Sequence, residues 1–223
     1  MRTDASEFET LEDMAAATAA GLDEAAARSA FLLFRDKKFR RLARFKRLSR
    51  VEQDRIFNEL VVSYIVLVML VLEAPDLRVG DEFRDYLALL RDKIPEAHLN
   101  YMKAVGVEAE HLRQWQQLIS MRYDEYARDR FEVRAAAMEI ESSEKSLDLD
   151  GLAKIQMLVP VQTVAIGCHH HICRGDTRGR DELFKFTLGA LSKFYVKIRI
   201  GLEGGKVTPL TRARVAMKKV FRK

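Results

Sequence analysis

Residues 52–74 read EQDRIFNELVVSYIVLVMLVLEA, and Pro75 follows. Ser49 and Glu52 have the Ser-x-x-Glu spacing of a capping box, which satisfies orphan N–H groups at a helix start. Pro75 cannot continue a helix and disfavours the α conformation at Ala74. Start and stop frame a helix of about 37 Å. Its first half is amphipathic, with Ile56, Phe57, Leu60 and Val61 set against Glu52, Arg55 and Glu59. From Val61 to Leu72 only Ser63 is not a large apolar or aromatic residue. A helix apolar on every side is enclosed by protein or by lipid. The uncharged run is 13 residues, Leu60 to Leu72, against roughly 20 needed to span a bilayer. The stretch therefore predicts a central core helix wrapped by others. A buried strand is the competing reading, and length and caps favour the helix.

The rest of the chain fits that reading. A hydrophobic share of 48% is enough for a sizeable core. No strand-period run bounded by hairpin turns stands out. Asp23 is a candidate N-cap for a helix running from Glu24 toward Ser49. Asp81 and Pro95 open two shorter helical patterns, the second ending near Gly106. Residues 107–145 hold no Pro or Gly, and Leu112, Ile119, Tyr126, Val133 and Ile140 recur every seven residues. One apolar line with a poor partner line predicts a long helix packed on a bundle. Ser146 and Asp148 are caps for a helix from Leu149 to Cys173, kinked or divided at Pro160. A further helix covers 181–200, where Gly189 suggests the close approach of a neighbour. The expected architecture is all-α: six to eight helices in a single bundle around residues 52–74. Residues 1–24 form an acidic arm or short helix, 25–205 the bundle, and 206–223 a basic C-terminal helix capped at Thr208-Pro209.

Charge is distributed unevenly. The net value is +5. Residues 35–50 carry +8, residues 206–223 carry +7, and the remainder is an acidic body of −10. In the first basic segment Phe39, Leu42, Phe45 and Leu48 fall three apart, flanked by Lys37, Lys38, Arg40, Arg41, Arg44, Lys46 and Arg47. That pattern predicts a basic amphipathic helix. With Arg212, Arg214, Lys218 and Lys219 of the C-terminal segment, these side chains are the candidate anion-binding residues. Clustered cations neutralise phosphates without reading sequence, and the same face can lie on an anionic membrane. The competing reading is that the aromatics pack on the bundle and the charges are a solvated face. No helix-turn-helix, zinc-finger or RNP-type pattern points to a sequence-specific reader.

A second candidate is Cys168-His169-His170-His171-Ile172-Cys173. Imidazole and thiolate are ligands for zinc, iron and copper. Successive helical residues rotate by about 100°, so at most two of the three histidines face the core. Glu108-x-x-His111 puts a carboxylate and an imidazole on one helical face. Dimetal bundles use two such pairs plus a Glu from each of two other helices, and here Glu59 is a further donor. The metal set is then Glu59, Glu108, His111, His169, His170 and Cys173, with iron or zinc as the expected ion. A planar cofactor such as haem is a variant of the same idea. The pattern is incomplete, because a second Glu-x-x-His is missing. The alternative is histidines hydrogen-bonded to Gln162, Thr163 or Ser63, with the cysteines as small core residues.

Two cysteines five apart make no disulfide framework. The first residues lack the apolar core of a signal peptide. Reduced thiols in a cytoplasm are expected. Nucleotide-loop, metalloprotease and nucleophile-elbow motifs are absent. Two functions remain as expectations. One is a non-enzymatic interaction protein engaging an anionic partner: nucleic acid, an acidic protein face or a membrane surface. The other is a metal- or cofactor-binding bundle of oxidoreductase type. Assembly of several copies is compatible with either.

Overall fold

Ser49 stops one chain direction and starts another. Its Oγ accepts the Glu52 backbone N–H at 3.2 Å, and an α-helix runs from Arg50 to Leu72. Only half of the capping box forms, because the Glu52 carboxylate turns to Arg55 and Arg174. The computed structural model describes residues 10–144 and 148–204. Within them are seven α-helices and no strand: α1 (Leu11–Arg35), α2 (Lys37–Leu42), α3 (Arg50–Leu72), α4 (Arg84–Ala104), α5 (Ala109–Glu144), α6 (Leu149–Ile172) and α7 (Asp181–Leu202).

Every residue of α3 from Glu59 to Leu72 is buried. The helix touches α1, α4, α5, α6 and α7, which together enclose it. A side chain fully buried in this way contributes about 1.5–3 kcal/mol when it is Val, Leu, Ile, Phe or Met. That is why a helix without a polar face is stable here. Two helices, α3 and α6, are long and apolar enough to cross a membrane by length and composition. Of the apolar window, 83% in α3 and 50% in α6 is buried inside the bundle.

Several boundaries differ from expectation. Asp23 caps nothing: α1 starts at Leu11, capped by Thr10, and Asp23 sits buried in its middle with a carboxylate oxygen 3.0 Å from His98 Nδ1 on α4. Residues 11–24 are thus part of a bundle helix. Small buried side chains, Ala15, Ala19, Ala26 and Ala30, let α1 lie close to its neighbours. Pro95 does not break α4, and Pro160 does not divide α6. Both helices are held by buried lines that flank the proline, Leu90, Ile94 and His98 in one and Ile155, Val159 and Val164 in the other. Ser146 lies outside the described residues, and Asp148 caps α6 with its side chain on the Gly151 N–H. No neighbour approaches Gly189. The close approach is at Gly167, where a Cβ would fall 2.1 Å from a ring carbon of Tyr126.

The pairs Thr18–Tyr86 and Asp23–His98 show that α1 and α4 run parallel. The end of α1, the start of α3 and the end of α4 therefore meet at one end of the bundle. At the other end, the Glu73 carboxylate gathers Arg91, Arg130 and the Tyr123 hydroxyl. Burial and that carboxylate push Tyr123 up to about 12.

Candidate anion-binding corner

The predicted basic helix is not one helix. The chain leaves α1 at Arg35, and Asp36 adopts an extended conformation. The Asp36 carboxylate accepts the backbone N–H groups of Lys38 at 2.7 Å and Phe39 at 2.9 Å, so it N-caps the six-residue α2. Arg44 then takes a left-handed conformation, φ 58°, and a 3-10 turn (Phe45–Arg47) leads to Ser49. Residues 36–49 are thus a bent corner between two long helices. The bend has a physical reason. Phe39 and Phe45 are both buried, their rings 5.9 Å apart edge to face, and Phe45 also meets Phe34 at 5.4 Å. A straight helix would spread those rings along its axis, whereas the bend brings them into one aromatic knot.

That knot leaves the charges outside. Lys37, Lys38, Arg41, Arg44, Lys46 and Arg47 are exposed. Among the described residues none of the six has a carboxylate within ion-pair distance. Asp36, the single acid in the segment, is occupied as a cap. Arg40 is different: half-buried, it stacks over Phe45 at 4.4 Å and Phe34 at 5.5 Å and reaches Gln53 at 3.4 Å. It builds the corner more than it presents charge. Gln53 closes the turn by donating to the carbonyls of Phe45 and Leu48.

A part of this surface was not visible in the sequence. The α6–α7 loop lies against the corner, because Arg180 donates to the Leu42 carbonyl at 3.2 Å and Arg174 pairs with Glu52. That pairing, with Arg55 beside it, holds the Glu52 carboxyl below its ordinary range. Exposed Arg178 sits in the same loop. The contact spans more than 130 residues of chain, so no local pattern signals it. For the corner itself a signal did exist: a lone Asp within a basic run is a cap residue. Arg212, Arg214, Lys218 and Lys219 lie outside the described residues.

The expected metal donors are dispersed. Glu59 is buried and fully engaged by Arg122, whose Nη2 and Nε donate at 2.7 and 3.0 Å. Burial opposes the Arg122 charge, but the Glu59 hydrogen bonds overcome it and raise its pKa. Arg122 also holds Glu125, which accepts from His171 Nε2 at 2.8 Å. This α3–α5–α6 network commits the acid that a metal would need. Glu108 is exposed ahead of α5. His111 is exposed beside Gln114, at the rim of a hollow of about 470 Å3 that Trp115 and Asn58 also line. His169 is buried against the Phe184 ring, and burial lowers its pKa. His170, expected to face inward, is exposed, and His171 takes the inward-facing polar role. Cys173 is buried, which raises its thiol pKa. Cys168 is pushed up to about 12 by burial. Among the described residues no three His, Cys, Asp or Glu side chains converge as a ligand set.

Comparison with protein-family models, with curated proteins and with solved structures returns no match for this chain.

Proposed function

We propose that this protein is a non-enzymatic helical interaction module whose corner between α1 and α3 engages an anionic partner. One observation carries the reading: six exposed cations without carboxylate partners among the described residues, held on a backbone pinned by Phe39 and Phe45. Exposed cations elsewhere, Arg128 and Lys185 among them, do pair with neighbouring carboxylates, and an acidic body of −10 offers many. Leaving this segment uncompensated concentrates positive potential where a polyanion can displace its counterions. The C-terminal segment adds seven further cations at the level of sequence.

Binding of the full chain to a single-stranded oligonucleotide and to heparin, measured across a salt series, tests the proposal. If most of the six cations meet phosphates, log affinity against log salt has a slope of about −4. Reversing Lys38, Arg41, Arg44 and Arg47 to Glu flattens that slope and weakens binding at least tenfold. The same variants keep the helical circular dichroism signal, since all four side chains are exposed and, among the described residues, only Lys38 meets a ring, that of Phe186 at 5.2 Å. Affinity that ignores both salt and the reversals overturns the proposal.

A further inference from the structure

The end of the bundle that carries the cations also carries uncovered apolar side chains. Leu32 is 62% exposed, Phe31 is 46% exposed and Val51 is 75% exposed. Exposed apolar residues occur elsewhere too, Phe131, Ile140 and Leu149 among them, but Phe31 and Leu32 are set beside cations on one helix. The inward face of α1 is set by Ala26, Ala30 and Leu33. Arg28, Phe31, Leu32 and Arg35 then fall at the i, i+3, i+4, i+7 spacing of a single outer stripe, and all four are exposed. The Arg35 guanidinium stacks over the Phe31 ring at 5.4 Å. One residue later the chain enters the cationic corner. Val51 sits at the far side of that corner, next to Arg50 in the first turn of α3. Tyr101 and Val105, at the end of the parallel helix α4, are also exposed at this end.

We infer that the anionic partner of the corner is a phospholipid surface, the corner's cations resting among headgroups while Phe31, Leu32 and Val51 enter the interface. This inference rests on the anion-binding reading and narrows it. Phosphate recognition on an acidic protein needs cations alone, and single-stranded nucleic acid adds stacking on an aromatic ring such as Phe31. Neither gives a use to the aliphatic Leu32 and Val51 standing in water beside the cations. An interfacial membrane contact needs both: cations are drawn by the negative leaflet, and apolar side chains dip to the acyl boundary. Neither contribution suffices alone. A few Lys/Arg at about 1 kcal/mol each hold a protein only loosely at a membrane, and partial insertion of two or three side chains adds the remainder. Apart from Val51 in its first turn, α3 takes no part in the lipid contact, because its apolar length is spent inside the bundle.

Flotation of the full chain with phosphatidylcholine vesicles, and with vesicles into which phosphatidylserine is mixed, reads the inference directly. Binding is expected with the mixed vesicles and absent with the neutral ones. Replacing Phe31 and Leu32 together by Ser is expected to lower vesicle partitioning about tenfold and to change oligonucleotide binding less than twofold. A Leu32→Trp variant is expected to shift its emission to the blue on the mixed vesicles. Salt-dependent oligonucleotide binding without vesicle binding overturns the lipid assignment and leaves the broader anion reading intact. Vesicle binding indifferent to Phe31→Ser/Leu32→Ser also overturns it. Loss of both kinds of binding would remove the two readings together.

Discussion

Gly167 and Gly189 both sit inside helices, yet their surroundings make opposite demands. At Gly167 the Tyr126 ring occupies the place of a side chain, with α5 and α6 drawn together across it. A methyl group there must push the two helices apart. Gly167→Ala is expected to cost about 1–3 kcal/mol in chemical denaturation. Around Gly189 nothing lies within 4 Å, so Gly189→Ala should stabilise α7 by about 0.5–1 kcal/mol. Equal effects from the two would show that the Tyr126 contact is not what fixes Gly167. The sequence suggested crowding at the wrong one of these glycines, because a glycine's spacing says nothing about which ring crosses it. His169 supplies a pH dependence. Burial against Phe184 lowers its pKa below the ordinary 6.5, while the Arg180 backbone pulls the other way. The unfolded chain then binds the proton more readily than the fold, so stability falls as pH drops through about 6.5. Replacing His169 by Gln removes that loss. The stability gap between wild type and variant, from denaturation midpoints at pH 8 and pH 5.5, should narrow toward the acid side.

At the scale of elements, two features of one helix decide the corner. Asp36 ends α1 and caps α2, and Arg44 turns the chain in a left-handed conformation. Asp36→Ala leaves the Lys38 and Phe39 N–H groups without their acceptor and should cost about 1 kcal/mol. It also loosens the bend, so anion binding should weaken although an acidic residue has been removed. Binding that simply strengthens, as added positive charge alone would give, would argue against a pinned corner. Much of the element pattern could be read locally. Ser49, Asp148 and the proline-free run of α5 act over one or two turns, and the boundaries they predict are close to those found. The exceptions are long-range. Pro95 and Pro160 cost their helices a hydrogen bond each, and only packing supplied by distant chain keeps those helices continuous. Likewise Phe39, Leu42 and Phe45 repeat at a helical interval, but the buried knot they join needs Phe34 and Arg40 in a bent arrangement.

For the whole molecule, charge asymmetry was legible and charge partnership was not. Net charge by segment located the corner, since counting requires no structure. That Glu59 answers Arg122 across 63 residues, or that the α6–α7 loop joins the corner, depends on how helices dock. The metal reading failed to assemble at that same scale: its donors share helical faces in sequence, but docking spends Glu59 on Arg122 and turns His170 outward.

The enclosure of α3 has a consequence for how the protein is made. Synthesis proceeds from the N-terminus, so residues 50–72 leave the ribosome before α5, α6 and α7 exist to cover them. For most of translation the nascent chain bears an unshielded hydrophobic rod, the kind of segment that chaperones hold and that aggregates if released. A product halted after residue 148, lacking α6 and α7, is expected in the insoluble fraction when expressed, while the full-length chain is recovered soluble. A soluble, cooperatively melting fragment would mean that α1, α4 and α5 suffice as a coat.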